Sequence, residues 1–160
     1  MLVRFTKNKI ATDTLTCVRP DGSTTTAEMA RRGILPHEAF HLVVESTLGW
    51  HDAFFGHVAR GEAIADITAK LHHDAGAWTK NTQALQSEAL IECLEAEQWG
   101  GASDPATFAQ KLVAACRRHG VLPPDITADE LETVRLALRD FGAAWRPLPA
   151  DKSLERTFGT

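Results

Sequence analysis

The chain has 160 residues, of which 44% are hydrophobic and 24% charged, a balance that is typical of folded globular proteins and excludes a disordered or fibrous one. Its formal net charge is −4 and no long basic run occurs, so neither nucleic acid nor an anionic membrane surface is predicted as a partner. The sequence shows no secretory signal and no apolar run of transmembrane length. We therefore predict a soluble, cytoplasmic protein with a single domain over residues 1–160.

The first thirty residues predict β-strands. Residues 2–6 and 14–19 alternate between apolar and polar side chains, and residues 23–28 are rich in β-branched ones. Pro20-Asp21-Gly22 separates the last two segments with residues that favour a tight turn. A small antiparallel sheet is expected.

The middle of the chain predicts helices, bounded by prolines, glycines and capping residues. Thr127 and Glu130 form a capping box before the helix with the clearest periodicity, in which Leu131 to Trp145 include a regular apolar seam. The predicted helices cover residues 36–48, 52–60, 62–71, 82–97, 105–119 and 127–145, with loop from His72 to Asn81.

Residues 152–158 alternate again and predict a late strand that returns to the N-terminal sheet. The fold class is thus α+β, with a small antiparallel sheet packed on a bundle of about five or six helices. Cys17, Cys93 and Cys116 are odd in number and lack any C-x-x-C spacing, so we predict buried, unpaired thiols.

The segment His37-Glu38-Ala39-Phe40-His41 has the H-E-x-x-H pattern of zinc proteases. On a helix, residues four apart share one face, so His37 and His41 can bind one Zn²⁺ while Glu38 activates a bound water. Pro36 limits how far the helix extends before His37, and a carboxylate near a helix start also has a purely structural explanation.

A catalytic zinc needs a third protein ligand and an open position. If Gly49 marks the bend of a helical hairpin, His57 and Glu62 face the histidine pair and are the candidate third ligands. Glu45 lies two turns beyond His37, which favours a supporting role behind His41 over direct ligation. His72-His73-Asp74 is a further potential ligand cluster.

Two resemblances bear on this motif. The spacing from His37-Glu38-x-x-His41 to Glu62-x-x-x-Asp66 resembles the gluzincin metalloproteases. That resemblance implies that Glu62 is the third zinc ligand and that Asp66 supports a zinc histidine.

The order of the N-terminal hairpin, residues 35–45, Leu48-Gly49-Trp50 and Phe54-Phe55-Gly56 is similar to a family of uncharacterised small bacterial proteins. Its members carry Asp at the position of Glu38, so this resemblance favours His37, His41 and Glu45 as the functional set. It implies no established activity.

Three hypotheses follow, and the sequence leaves open whether the protein is an enzyme. The first is a metal-binding protein, extending to a zinc-dependent hydrolase of a small molecule or peptide, in which His37, His41 and Glu62 hold the metal and Glu38 is catalytic. The second is a metal-free polar network of His37, His41 and Glu45 that acts as a binding module. The third is self-association into a homo-oligomer through the residue 131–145 seam or the final strand.

Overall fold

The computed structural model of the protein describes residues 1–73 and 81–159, and for residues 71–73 it describes the backbone alone. Four strands form one antiparallel sheet with the order β3-β2-β1-β4. They are β1 (Leu2–Thr6), β2 (Thr12–Val18), β3 (Thr24–Ala30) and β4 (Ser153–Thr157). The predicted late strand therefore joins the sheet beside β1, as expected.

The alternation of apolar residues fixes which face of the sheet is buried. Val3 pairs with Cys17 and Phe5 with Leu15, and all four side chains are fully buried. Because successive residues of a strand face opposite sides, the polar residues between them stay on the other face.

Six helices lie within the described residues and confirm the α+β prediction. They are α1 (His37–Leu48), α2 (Phe54–Ala59), α3 (Ile64–His73), α4 (Thr82–Gly100), α5 (Pro105–Arg118) and α6 (Ala128–Trp145). The predicted loop from His72 is wrong for its first two residues, which belong to α3, and residues 74–80 lie outside the described part. No helix in the described ranges combines the length and the apolar character needed to cross a membrane.

Helix boundaries follow local chemistry. Pro36 stands before the first residue of α1, and Gly49 ends that helix with a left-handed φ of 64°. At α6 the predicted capping box is present, since the Glu130 amide donates to Thr127 Oγ1 at 3.2 Å and the Thr127 amide donates to Glu130 Oε2 at 2.8 Å.

The apolar seam of α6 is the core face of that helix. Leu131, Val134, Leu138, Phe141 and Trp145 are all buried, and α6 packs against α1. Phe141 also meets Phe5 of the sheet edge to face, with ring centroids 5.1 Å apart. Other parts of the chain therefore cover the seam. Strand β4 lies at an edge of the sheet, and self-association through this strand stays a prediction.

Helix α1 lies at the centre of the helical layer. It packs against α6 and also against α4, which in turn packs against α5. The three cysteines are buried and unpaired, as predicted. The contact between α1 and α4 is the one that builds the candidate site.

Candidate metal centre

His37 and His41 occupy the first two turns of α1, beside its apolar face. The helix buries Phe40 and Val44, and it also buries His41, whose side chain is 5% exposed, whereas the His37 side chain is 46% exposed. Their two Nε2 atoms lie 3.2 Å apart. The i, i+4 spacing thus brings both imidazoles to one point, as the sequence predicts.

Helix α4 contributes a carboxylate to the same point. Glu88 Oε1 lies 3.2 Å from His41 Nε2, and Glu88 Oε2 lies 3.6 Å from His37 Nε2. Within the described part of the chain, His37, His41 and Glu88 form the group whose ligand atoms all lie within 4.8 Å of one another.

A second carboxylate stands behind each imidazole. His41 Nδ1 lies 3.2 Å from Glu45 Oε1, and His37 Nδ1 lies 2.9 Å from Glu95 Oε1. A carboxylate accepts hydrogen bonds and cannot donate them when ionised, so each Nδ1 carries the proton. In the neutral imidazoles each Nε2 then presents its lone pair to Glu88 and to the other ring.

Glu45 is itself held firmly. It is fully buried, and its Oε2 accepts hydrogen bonds from the backbone amides of Phe55 at 2.8 Å and Gly56 at 3.3 Å. Gly56 is required here, because a Cβ at this position would lie 2.0 Å from the carbonyl oxygen of His51. The start of α2 therefore fixes Glu45, and Glu45 fixes the ring of His41, in the supporting role expected from the sequence.

Three groups with lone pairs face one another at the centre of the site. Two Nε2 atoms and one carboxylate facing one another repel unless a cation, either a proton or a metal ion, lies between them. Ligand atoms about 2.0 to 2.1 Å from a tetrahedral zinc are about 3.3 Å apart. The separation of 3.2 Å between the two Nε2 atoms is close to that value, and each Nε2 has a different oxygen of Glu88 at 3.2 or 3.6 Å.

Protons supply this cation in the metal-free protein. Burial by itself lowers the pKa of both histidines, but the surrounding carboxylates outweigh it, raising the pKa of His37 to about 9 and that of His41 to about 10. The two histidines in turn hold the pKa of Glu88 well below its usual range, against the effect of its burial. Desolvation raises the pKa of Glu45.

The three groups open onto a cleft of about 740 Å³, a volume within the range of small-molecule sites. Phe54, Leu85 and Trp99 give its wall an apolar part, and Trp99 is 74% exposed. Glu38, in the first turn of α1, lines the same cleft. The predicted catalytic carboxylate thus shares a cavity with the predicted histidines.

Glu62 and His57 are not brought to the histidine pair. His57 Nδ1 lies 2.6 Å from Glu62 Oε1, and Lys70 Nζ donates to Glu62 Oε2 at 2.6 Å. The helical hairpin assumed for the sequence is interrupted, because α2 is only 6 residues long and begins at Phe54. Glu88 takes the place near the histidines that the sequence assigned to Glu62. Asp74 lies outside the described residues, and so do the side chains of His72 and His73.

Sequence reasoning missed Glu88 and Glu95. Both lie on α4, seven residues apart and therefore on one face. Ser87, beside Glu88, is buried, and its Oγ lies 3.4 Å from His41 Nδ1. Two glutamates at this spacing, beside an apolar helix face, could have indicated that α4 contributes to a site. They could not have predicted which helix α4 packs against.

Comparison of the chain with protein-family models, curated proteins and solved structures finds no match. The resemblances to gluzincins and to the small bacterial family therefore stay predictions.

Proposed function

We propose that this protein binds a divalent transition metal ion, with zinc the first choice, through His37, His41 and Glu88. The observation that carries the proposal is the convergence of two Nε2 atoms and one carboxylate at 3.2 to 3.6 Å. The carboxylates of Glu45 and Glu95 on the far side of each ring support it, because metal-binding histidines characteristically donate their other N–H to such a group.

The donor set favours zinc over calcium or magnesium. Two imidazoles suit zinc and other late transition metals, whereas calcium and magnesium prefer oxygen ligands. Three protein ligands beside an open cleft are typical of a catalytic zinc site, whereas structural zinc sites use four protein ligands.

Metal-assisted hydrolysis of a small molecule or peptide is the activity that this arrangement fits best. Bound zinc supplies a Lewis acid and a water of lowered pKa. Within the cleft, Glu38 is the carboxylate adjacent to His37 in sequence, and its expected role is to accept the proton of the attacking water. The apolar wall formed by Phe54, Leu85 and Trp99 would exclude water from the body of the substrate.

Metal binding is tested by zinc titration of purified, metal-free protein, with the bound metal measured by mass spectrometry. The wild type is expected to bind one equivalent. Glu88→Gln should lose stoichiometric binding, because the amide is a poor ligand that keeps the size of the side chain. Glu92→Gln is the matched control on the same helix, since Glu92 pairs with Arg118 and His119 and is not part of the His37, His41 and Glu88 group.

Glu62→Gln separates this proposal from the ligand set expected from the sequence. It should leave zinc binding unchanged, because Glu62 bonds His57 and Lys70. Loss of zinc in Glu62→Gln together with retention in Glu88→Gln contradicts the proposed centre.

Catalysis is tested with zinc-loaded protein on a panel of fluorogenic peptide, amide and ester substrates. Glu38→Gln should keep stoichiometric zinc and lose turnover by about a hundredfold or more, the contribution usual for a general base. Equal turnover by the variant, or none by the zinc-loaded wild type, counts against hydrolysis while leaving metal binding intact.

A metal-free polar network is the second candidate. It is favoured by one observation: among the described residues, no buried side-chain nitrogen or oxygen lacks a hydrogen-bond partner. The buried polar atoms of His41 and Glu45 thus have hydrogen-bond partners without a metal ion. Failure of the wild type to bind any of zinc, iron(II), cobalt or nickel at stoichiometry would select this function.

A further inference from the structure

A second cleft, of about 430 Å³, borders the segment that joins β3 to α1. Gly33, Ile34 and Leu35 of that segment line both clefts. The metal ligands do not line this second cleft. Its charged lining consists of Lys7, Arg31 and Arg146 with the single carboxylate of Asp13.

Two of the three cations are held in place. Asp13, only 4% exposed, accepts hydrogen bonds from Arg31 Nε at 3.0 Å and Nη2 at 2.5 Å, so that carboxylate and guanidinium offset one another. Lys7 Nζ donates to the backbone carbonyl of Arg146 at 3.0 Å and stands 5.1 Å from the ring centroid of Trp145. A carbonyl and an aromatic ring orient the ammonium group without neutralising its charge.

Lys7 and Arg146 therefore contribute positive charge to this cleft that no ion pair among the described residues neutralises. Neither side chain forms an ion pair with any residue in the ranges 1–73 and 81–159. The chain as a whole carries a net charge of −4, so this local excess runs against its overall balance. Two like charges lining one concave wall attract an anion more strongly than either would alone.

We propose that this cleft binds a small organic anion, a carboxylate or a phosphate ester, whose charged group lies between Lys7 and Arg146. The guanidinium of Arg146 offers the paired N–H donors that match carboxylate and phosphate oxygens. The apolar part of the ligand packs on Ile34, which lines the same cleft and is partly exposed, while Trp145 borders the cleft as a buried side chain. This site does not depend on the proposed metal centre.

The test is a titration with phenyl phosphate, benzoate and inorganic phosphate, without added metal ions, followed by the Trp145 indole N–H signal in nuclear magnetic resonance spectra. Phenyl phosphate, benzoate or both should give a saturable shift of that signal. Arg146→Gln and Lys7→Gln should each weaken binding about tenfold to a hundredfold, since each removes a hydrogen bond to a charged group.

Arg139→Gln is the matched control. Arg139 is an exposed arginine of α6 that pairs with Glu132 and does not line the cleft. Its binding should equal that of the wild type, and preserved spectra elsewhere in each variant establish that the fold is intact. The relative affinities for phenyl phosphate and benzoate decide between phosphate and carboxylate.

Three results overturn the proposal. The first is no saturation by any of the three anions in the millimolar range. The second is undiminished binding by a variant that carries both Lys7→Gln and Arg146→Gln. The third is equal affinity for inorganic phosphate and phenyl phosphate, which removes the packing on Ile34 and with it the organic part of the ligand.

Discussion

Replacement of Glu45 by glutamine tests whether this buried residue sets the orientation and protonation of His41. The carboxylate accepts hydrogen bonds from three donors, namely His41 Nδ1 at 3.2 Å and the amides of Phe55 and Gly56 at 2.8 and 3.3 Å. Glutamine has the same shape, but it offers one oxygen and one NH₂ group, so it cannot accept from both sides.

Either orientation of the glutamine has a cost. If its oxygen accepts from the two amides, its NH₂ group faces His41 Nδ1. The imidazole must then carry its proton on Nε2 instead of Nδ1, and a protonated Nε2 cannot bind the metal. If its oxygen faces His41, two buried amides meet an NH₂ group, and each unsatisfied donor costs about 1 to 3 kcal/mol. Zinc affinity should therefore fall about tenfold to a hundredfold, or about 1.4 to 2.7 kcal/mol.

The assay is competition for zinc against a chromophoric chelator, with far-ultraviolet circular dichroism as the check on folding. Glu95→Gln is the matched control, because Glu95 has the same relation to His37 but its side chain is 41% exposed, so water can replace the lost acceptor. Its effect should be smaller. Unchanged zinc affinity in Glu45→Gln, or a larger loss in Glu95→Gln, refutes the reasoning.

Two further predictions concern stability. Gly56→Ala should lower the free energy of unfolding by about 1 to 3 kcal/mol or more, because the new methyl group would lie 2.0 Å from the His51 carbonyl oxygen, whereas Gly100→Ala, with open space around it, should not destabilise in the same urea titration. Glu97→Gln should cost about 1 to 3 kcal/mol at neutral pH, because the buried guanidinium of Arg135 loses its close carboxylate and keeps Glu132 at 3.9 Å and the Ser103 carbonyl. Burial raises the pKa of Glu97, but the ion pair with Arg135 outweighs it and lowers that pKa below its value in the unfolded chain. The stabilisation is therefore present above the pKa of the unfolded chain and is lost as the pH falls through the pKa of the folded protein. Urea unfolding at successive pH values should show the difference in free energy of unfolding between wild type and variant closing as the pH falls below about 4.3, the pKa of glutamate in the unfolded chain, and a constant difference contradicts the assignment.

Local signals predicted most of the secondary structure. The capping box at Thr127 and Glu130, the turn at residues 20–22 and the alternation in residues 2–6 act over a few neighbours in sequence, and all appear in the structure. Helix α4 runs past the predicted end at residue 97 to Gly100, because Gly100 does not break the helix and Gly101 caps it. Boundaries of this kind depend on the balance of a few weak interactions.

The sequence also located half of the candidate site. Because His37 and His41 lie one helical turn apart, their proximity follows from the helix alone, and the same spacing places Glu45 behind His41. The carboxylate that lies near both histidines is Glu88, whereas the choice of Glu62 or His57 from the sequence assumed a regular hairpin. The short α2 and the pairing of His57 with Glu62 remove both candidates from the histidine pair.

The sequence by itself therefore determined the features that lie within a single helix or strand. These are the α+β composition, the histidine pair, and the supporting glutamate one turn after His41. The tertiary structure decided that Glu88 and Glu95 of α4 meet α1 and that Glu38 shares their cleft. The physical reason is one of range. Hydrogen bonds within a helix fix contacts three or four residues apart, whereas a contact between helices depends on how their apolar faces pack, which no local pattern specifies.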